Sequence, residues 1–276
     1  MLRRALLRGR DQQQLGGLAT VCEGDAAIAL SRGGAPKRYP HVDANEDAAL
    51  FASGAGGVLL AVADGHDGAL GAESALECLG SEIAEAWCAE APPCARPEGC
   101  CELAWAAAQR ASLAVCEACE RECLPVAPTT LAVALARPAE NRLLVLSVGD
   151  SHVFALRGRD GGVDDLSRGQ DDAAQRFFLG TPRETWHRDA ARIVVLPLAG
   201  IDALVLATDG LSEVGIGFDD PPRAVADACR DARGIERPRR AQWLAREVTA
   251  RAIAEHRRRA SGDNVATAVL WTRSRD

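Results

Sequence analysis

Five short motifs place an acidic residue beside glycine or asparagine where an apolar run starts or stops. They are NED at 45–47, ADG at 63–65, VGD at 148–150, TDG at 208–210 and GDN at 262–264. One Asp-Gly at the end of a strand is an ordinary turn signal, and taken alone it indicates structure rather than chemistry. Five of them at equivalent places indicate that the strand ends converge on a shared site.

The convergence of these strand ends would produce a cage made of oxygen ligands. Asp47, Asp64, Asp209 and Asp263 would supply its carboxylates. Such donors suit hard divalent cations, Mg²⁺ or Mn²⁺. Acids this close together repel one another unless a cation offsets their charge. The glycine after Asp64, Gly65, would let a backbone carbonyl approach the ion without a Cβ in the way.

The elements that must position these acids are predicted from short apolar runs bounded by Gly, Asp, Asn or Pro, which is typical of strands. They cover 26–30, 48–52, 57–63, 130–136, 142–148, 152–156, 191–198, 203–209 and 264–271. Short connections indicate antiparallel neighbours. Helical blocks are predicted at 69–90, 99–121, 222–229 and 239–256. The pattern favours an α+β fold in which two antiparallel β-sheets pack as a sandwich flanked by helix pairs, giving α-β-β-α layers.

Composition narrows the range of functions. The 276 residues are 47% hydrophobic and show no shift that would mark a linker, so one domain over 21–273 is predicted after a poorly ordered tail at 1–20. The net charge of −7 argues against nucleic acid as a partner. No apolar run approaches the ~18 residues that cross a bilayer. We therefore expect a cytoplasmic monomer that does not contact membranes.

Seven of the ten cysteines lie between Cys88 and Cys123. The spacing of Cys116, Cys119 and Cys123 predicts one face of a helix. A small-residue packing face is the simplest interpretation. A zinc site completed by Cys94, Cys100 or Cys101, and a redox-sensitive cluster, are the alternatives.

Six ordered motifs carry a family resemblance. They are NEDA at 45–48, VADGHDG at 62–68, TTLAVAL at 129–135, SVGDS at 147–151, LATDGLSE at 206–213 and SGDNVATAVL at 261–270. In order and spacing they resemble the PPM-type (type 2C) metal-dependent Ser/Thr protein phosphatases, from about residue 20 to residue 272. The resemblance implies the same helix-flanked sandwich.

The resemblance also implies roles for individual residues. Asp64 matches an acid that bridges two metal ions, and the Gly65 carbonyl matches a further ligand. Asp209 and Asp263 match the two late metal acids. The remaining matches are Glu46 and Asp47 for the early acid pair, Asp150 for a third and weaker metal, and His66 for a general acid.

The activity that these matches imply is hydrolysis of phosphoserine or phosphothreonine by a water activated between two Mn²⁺ or Mg²⁺ ions. Asp64, Asp209 and Asp263 would form the catalytic centre, and His66 would protonate the leaving oxygen. A turn residue with a backbone hydrogen bond is the simpler interpretation of His66. The implied partner is a phosphorylated protein, either a kinase or a kinase target.

The chain departs from the family pattern at three places. Val42 occupies the position of a phosphate-binding arginine, so Arg38 or His41 would have to substitute. The segment between SVGDS and LATDG is short, which predicts a reduced flap, and His152 replaces an arginine in the GDSR-like motif. These departures keep two alternatives open: a catalytically weak module that binds or regulates phosphoproteins, and a phosphatase for small phosphate esters.

One basic run, from His256 to Arg259, is interpreted as cations that complement the C-terminus of a helix. The alternative is a guide for anionic substrates.

Overall fold

Two six-stranded antiparallel sheets form the centre of the molecule. The computed structural model describes residues 1–158, 162–168, 177–181 and 188–272. The first sheet has the order β1-β4-β5-β6-β7-β10, with strands Arg3–Arg8, Asp47–Ser53, Val58–Asp64, Leu131–Arg137, Arg142–Val148 and Arg192–Pro197. The second has the order β2-β3-β12-β11-β8-β9, with strands Ala19–Glu23, Ala26–Ser31, Val265–Trp271, Ile201–Ala207, His152–Arg157 and Gly162–Asp165.

The central strands are apolar on both faces because each sheet is covered on both sides. On β4, for example, Leu50 packs toward the helices and the next residue, Phe51, packs between the sheets. Successive side chains of a strand point to opposite faces, so both must be apolar here. This is why the sequence shows continuous apolar runs instead of an alternation of apolar and polar residues.

Helices cover the two outer faces of the sandwich. The first group is α1 (Leu70–Cys78), a π-helical segment (Leu79–Ile83), α2 (Ala84–Trp87) and α3 (Pro97–Glu122). Its apolar side chains form one core with the first sheet. The second group, α4 (Pro221–Ala232) and α5 (Arg240–Arg259), forms another core with the second sheet. The predicted α+β fold with α-β-β-α layers is confirmed.

The prediction of a poorly ordered tail over 1–20 was wrong for its first part. Arg3–Arg8 forms β1 and pairs with β4 from Arg3 opposite Ser53 to Arg8 opposite Ala48. The arginines that broke the apolar pattern are tolerated because β1 is an edge strand, where charged side chains reach solvent and discourage further pairing. The short strands β2 and β9 were also missed.

The cysteine-rich segment does not form a zinc site. Cys94 and Cys100 are joined by a disulfide. Cys116 and Cys119 lie on α3, but the helix ends at Glu122 and Cys123 follows it in the left-handed conformation. Among the described residues, which include all ten cysteines, no cluster of three or more potential metal ligands contains a cysteine. The prediction of one helical face therefore holds for Cys116 and Cys119 only.

No helix within the described ranges is long and apolar enough to cross a bilayer.

Candidate metal centre

The early acids are brought together by the pairing of β4 with β5. Asp47 opens β4 and stands directly opposite Asp64, which closes β5. The backbone of Asp64 is fixed by β6: its N–H donates to Thr130 Oγ1 at 2.9 Å, and the Thr130 N–H donates to its carbonyl at 2.9 Å.

The late acids come from the second sheet. Asp209 lies in a 3₁₀ turn just after β11, and Asp263 lies two residues before β12, which pairs with β11. Ligand atoms of Asp209, Glu213 and Asp263 all lie within 4.8 Å of one another. Glu213 was missed from the sequence, although its i, i+4 spacing from Asp209 within TDGLSE was a usable signal. Its N–H donates to the Asp209 carbonyl at 2.6 Å.

Two polar side chains join the acids of one sheet to the strands of the other. Thr208 Oγ1 donates to Asp47 Oδ2 at 2.7 Å. Asn264 Oδ1 accepts a hydrogen bond from the Glu46 N–H at 2.8 Å. The site therefore lies at the end of the sandwich where strand ends of both sheets meet. We call the five carboxylates of Glu46, Asp47, Asp64, Asp209 and Asp263 the acid cage.

Burial raises the free energy that is needed to ionise acids of the cage. Desolvation, reinforced by the charge of Asp263, raises the pKa of Asp47 to about 7. The pKa values of Asp64 and Asp209 are also raised, first by burial and then by the neighbouring carboxylates. Each shift disfavours the charged form and has the same two causes, burial first and the neighbouring carboxylates second.

This donor set fits a divalent cation. All its members are hard oxygen ligands, and a bound cation would offset the charge that the cage accumulates. Asp150 adds an independent indication, since its Oδ1 is buried without a hydrogen-bond partner among the described residues while its charge acts on Asp209. A buried carboxylate oxygen without a protein partner has lone pairs that a cation could use.

The backbone at Gly65 is crowded. A Cβ at this position would stand 2.5 Å from the Gly68 carbonyl oxygen and 2.7 Å from that of Glu46. Glycine is therefore required here by packing. Ligation of a cation by the Gly65 carbonyl stays a prediction.

One cation lies inside the acid cage, and the sequence did not single it out as functional. Lys37 Nζ is 3.0 Å from Glu46 Oε2 and 3.1 Å from Asp263 Oδ1, and its side chain is 5% exposed. Burial would lower the pKa of Lys37, but Asp263, Asp47 and Glu46 together raise it above its ordinary value. No periodic pattern marks Lys37, because it lies in an irregular segment between β3 and β4.

The cations predicted to bind phosphate lie outside the acid cage. Arg38 is exposed and donates to the carbonyl of Ala260. His41 is also exposed, and its Nδ1 lies 3.1 Å from the Tyr39 carbonyl. Val42, at the position of the family arginine, is 72% exposed.

His66 is placed differently from the exposed imidazole that the sequence suggested. Its ring packs edge-on against Phe178, with 4.5 Å between the ring centroids. Its Nε2 is buried and has no hydrogen-bond partner in the described ranges. The backbone N–H of His66 donates to the Pro128 carbonyl at 2.7 Å, as the simpler interpretation expected. A role in proton transfer stays a prediction.

His152 acquires a structural role. Nδ1 of this buried side chain lies 2.8 Å from Asp165 Oδ2, and its Nε2 lies 2.6 Å from Ser212 Oγ. Burial would raise the pKa of Asp165, but the hydrogen bond to His152 lowers it, so the carboxylate accepts from Nδ1–H. Nε2 shares a second hydrogen bond with the Ser212 hydroxyl, which also donates to the Asp209 carbonyl at 3.3 Å. This chain of hydrogen bonds ties β8 and β9 to the turn that carries Asp209.

His256 contacts the loops around the acid cage rather than the carbonyls at the end of its helix. It is buried, its Nε2 donates to the Gly210 carbonyl at 2.7 Å, and its Nδ1 accepts from the Gly34 N–H at 3.3 Å. Burial lowers the pKa of His256, in keeping with a neutral ring. It fixes the residue after Asp209 against the segment that leads to Lys37.

The shortened flap predicted between SVGDS and LATDG falls largely on 169–176 and 182–187, which lie outside the described residues.

Comparisons with known proteins point to one family. The family model described as Protein phosphatase 2C matches residues 40–249. The fold is similar to that of serine/threonine phosphatase Stp1 from Staphylococcus aureus, at 16% identity and a TM-score of 0.64, covering 92% of this chain and 96% of that one.

Two further structures share the fold. The PPM Ser-Thr phosphatase MsPP from Mycobacterium smegmatis, in complex with cacodylate, is 24% identical with a TM-score of 0.54, over 89% of this chain and 97% of that one. PppA from Pseudomonas aeruginosa is 20% identical with a TM-score of 0.58, over 92% and 100%. No curated protein matches the sequence.

Proposed function

Because the chain belongs to the protein phosphatase 2C family, we propose that it is an active metal-dependent hydrolase of phosphoserine and phosphothreonine in proteins. The observation that carries the proposal is the surplus of carboxylates in the acid cage, of which Asp47, Asp64 and Asp209 have pKa values raised first by burial and then by neighbouring carboxylates. Burying several acids together costs folding free energy. A bound catalytic cation would offset that cost, which is why such clusters are typical of active sites.

Asp64, Asp209 and Asp263 would hold Mn²⁺ or Mg²⁺, with Glu46, Asp47 and the Gly65 carbonyl contributing directly or through water. Asp150 would support a third, weaker ion. When bound, the ions supply a nucleophilic water and offset charge on the phosphoryl oxygens.

The chain's own groups would keep this site rigid and partly dry. Thr130 holds the backbone of Asp64, and Thr208 holds the carboxylate of Asp47. His66 would donate the proton to the leaving serine or threonine oxygen after its ring turns from Phe178. The phosphorylated partner would be a kinase or a kinase target, as the family's chemistry suggests.

Hydrolysis of a phosphothreonine peptide tests the proposal directly. We expect turnover with Mn²⁺, none with EDTA, and a loss of about 10³-fold or more in Asp64→Asn and Asp209→Asn, because each removes a charged ligand. Asp227→Asn is the matched control, since Asp227 is a half-exposed acid on α4 that pairs with Arg230. It should keep full activity.

Two other results would redirect the proposal. Turnover of small phosphate esters alone would indicate a metabolite phosphatase. Absence of both Mn²⁺ binding and turnover would contradict the enzyme proposal and leave a phosphoprotein-binding module.

A further inference from the structure

Lys37 occupies a position that a divalent ion would otherwise take. It is the only lysine among 32 basic residues. Its ammonium bridges Glu46 Oε2 and Asp263 Oδ1 at 3.0 and 3.1 Å, and both carboxylates are buried. An ammonium is a compact point charge, so its preferred place among carboxylates resembles that of a small cation.

A divalent ion bound to the same two oxygens would meet a positive charge at close range. Inside a poorly solvated site such repulsion is strong, because little water screens it. Lys37 and the ion therefore exclude each other at Glu46 and Asp263. Asp209 and Glu213 form no described ion pair with Lys37, but Asp263 belongs to both groups, because its ligand atom lies within 4.8 Å of theirs.

We infer that Lys37 is a resident counter-ion of the acid cage, which competes with one divalent ion for Glu46 and Asp263 and must withdraw for that ion to bind. The inference deepens the proposed function and rests on it. Its consequence is that this chain binds one of its metal ions more weakly than its set of carboxylates alone would allow.

The backbone that leads to Lys37 is held against the cage. Gly33 has a φ of +97°, and a Cβ there would stand 2.0 Å from the Asp263 carbonyl oxygen, so only glycine fits. After it, the Pro36 carbonyl accepts from the Gly262 N–H at 3.2 Å. The ammonium is thus delivered to Asp263 by a fixed segment, and only the flexible side chain is free to withdraw.

An aromatic ring also faces the ammonium in its paired position. Lys37 Nζ is 5.3 Å from the centroid of the Tyr39 ring, and Tyr39 is 40% exposed. The face of a tyrosine ring attracts a cation. The ring therefore helps to hold the paired ammonium beside the carboxylates.

The test is a calorimetric titration of the full chain with Mn²⁺, without substrate. Lys37→Met removes the charge while keeping a long side chain, and we expect it to bind the weaker Mn²⁺ ion about tenfold more tightly or better. Lys37→Arg keeps the charge and should bind no more tightly than the wild type. Arg110→Met removes a surface charge that pairs with Glu82 on the other side of the fold, and should leave the titration unchanged.

Thermal unfolding gives a second readout that does not depend on activity. In EDTA, Lys37→Met should melt below the wild type, because the cage has lost its counter-ion. Saturating Mn²⁺ should close or reverse that difference. Unchanged or weaker Mn²⁺ binding by Lys37→Met, with normal binding by the wild type, would overturn the inference and leave the proposed function standing. Absence of Mn²⁺ binding in both proteins would overturn both.

Discussion

Two groups of buried charge lie at opposite ends of the first sheet, and they are built on opposite principles. At one end, Arg137 closes β6 and is 2% exposed. It pairs with Glu140 and donates to the carbonyls of Trp87, Ala89 and Glu90 at 2.7, 2.9 and 3.1 Å. At the other end, the acid cage has five carboxylates, and Lys37 is the only described cation that forms ion pairs with them.

The difference distinguishes charge that the protein satisfies by itself from charge that a bound cation would satisfy. The charge and the hydrogen-bond donors of Arg137 are matched by groups of the same chain, so the Arg137 cluster offers no free group to a ligand. The acid cage is left with excess negative charge, and Asp150 keeps a buried oxygen without a described partner. Buried polar groups are normally satisfied, so an unsatisfied set points to something that binds.

The first test of this comparison removes the hydrogen-bond donor at the centre of the Arg137 cluster. Arg137→Met should lower the free energy of unfolding by about 3–5 kcal/mol, because it leaves Glu140 and three carbonyls without their donor. Urea denaturation would measure the loss, while Mn²⁺ affinity of the folded protein should not change. Arg110→Met, at a partly exposed pair, should cost at most about 1 kcal/mol. Equal losses in the two variants would contradict the distinction.

The sequence predicts some parts of this structure better than others, and the reason is physical. Asp47, Asp64, Asp209 and Asp263 were predictable because each sits at a strand end, where an acid beside glycine or asparagine is a local signal. Pairing of neighbouring strands then brings them together without further information. The central strands were predictable because apolar runs must be buried.

The partners of those acids were not predictable in the same way. Lys37 reaches the cage through the path of an irregular segment, and its flanking sequence carries no periodicity. His152 and Ser212 are 60 residues apart and meet only because β8 pairs with β11. Arg3–Arg8 was missed because charged residues on an edge strand imitate a disordered tail. Contacts that depend on tertiary placement leave no local trace.

The second way to sharpen the comparison uses pH. The pKa of Asp47 is raised from 3.8 to about 7 by burial and by Asp263. A raised carboxyl pKa means that the folded state binds more protons than the unfolded state between these values. In EDTA, therefore, the free energy of unfolding should fall as pH rises from about 3.8 to about 7, by roughly 3–4 kcal/mol from this group.

Urea titrations across that interval would measure the slope, and Asp47→Asn should flatten it because the titrating group is gone. Saturating Mn²⁺ should also remove the decline, since the ions stabilise the ionised cage. A wild-type slope that Asp47→Asn leaves unchanged would show that the cage does not carry the excess charge proposed for it.

The smallest expected effect concerns the support of the cage rather than its acids. Ser212→Ala would leave the buried Nε2 of His152 without its hydroxyl partner, at a cost of about 0.5–1.5 kcal/mol. Because Ser212 is three residues from Asp209, Mn²⁺ affinity should fall a few-fold as the turn loosens. Ser81→Ala is the control, since its exposed hydroxyl only donates within its own helical segment, to the Glu77 carbonyl. Ser212→Ala could instead lose stability and keep full Mn²⁺ affinity. In that case the hydrogen-bonded chain from Asp165 has a purely structural role, like the Arg137 cluster, and only the acid cage contributes to cation binding.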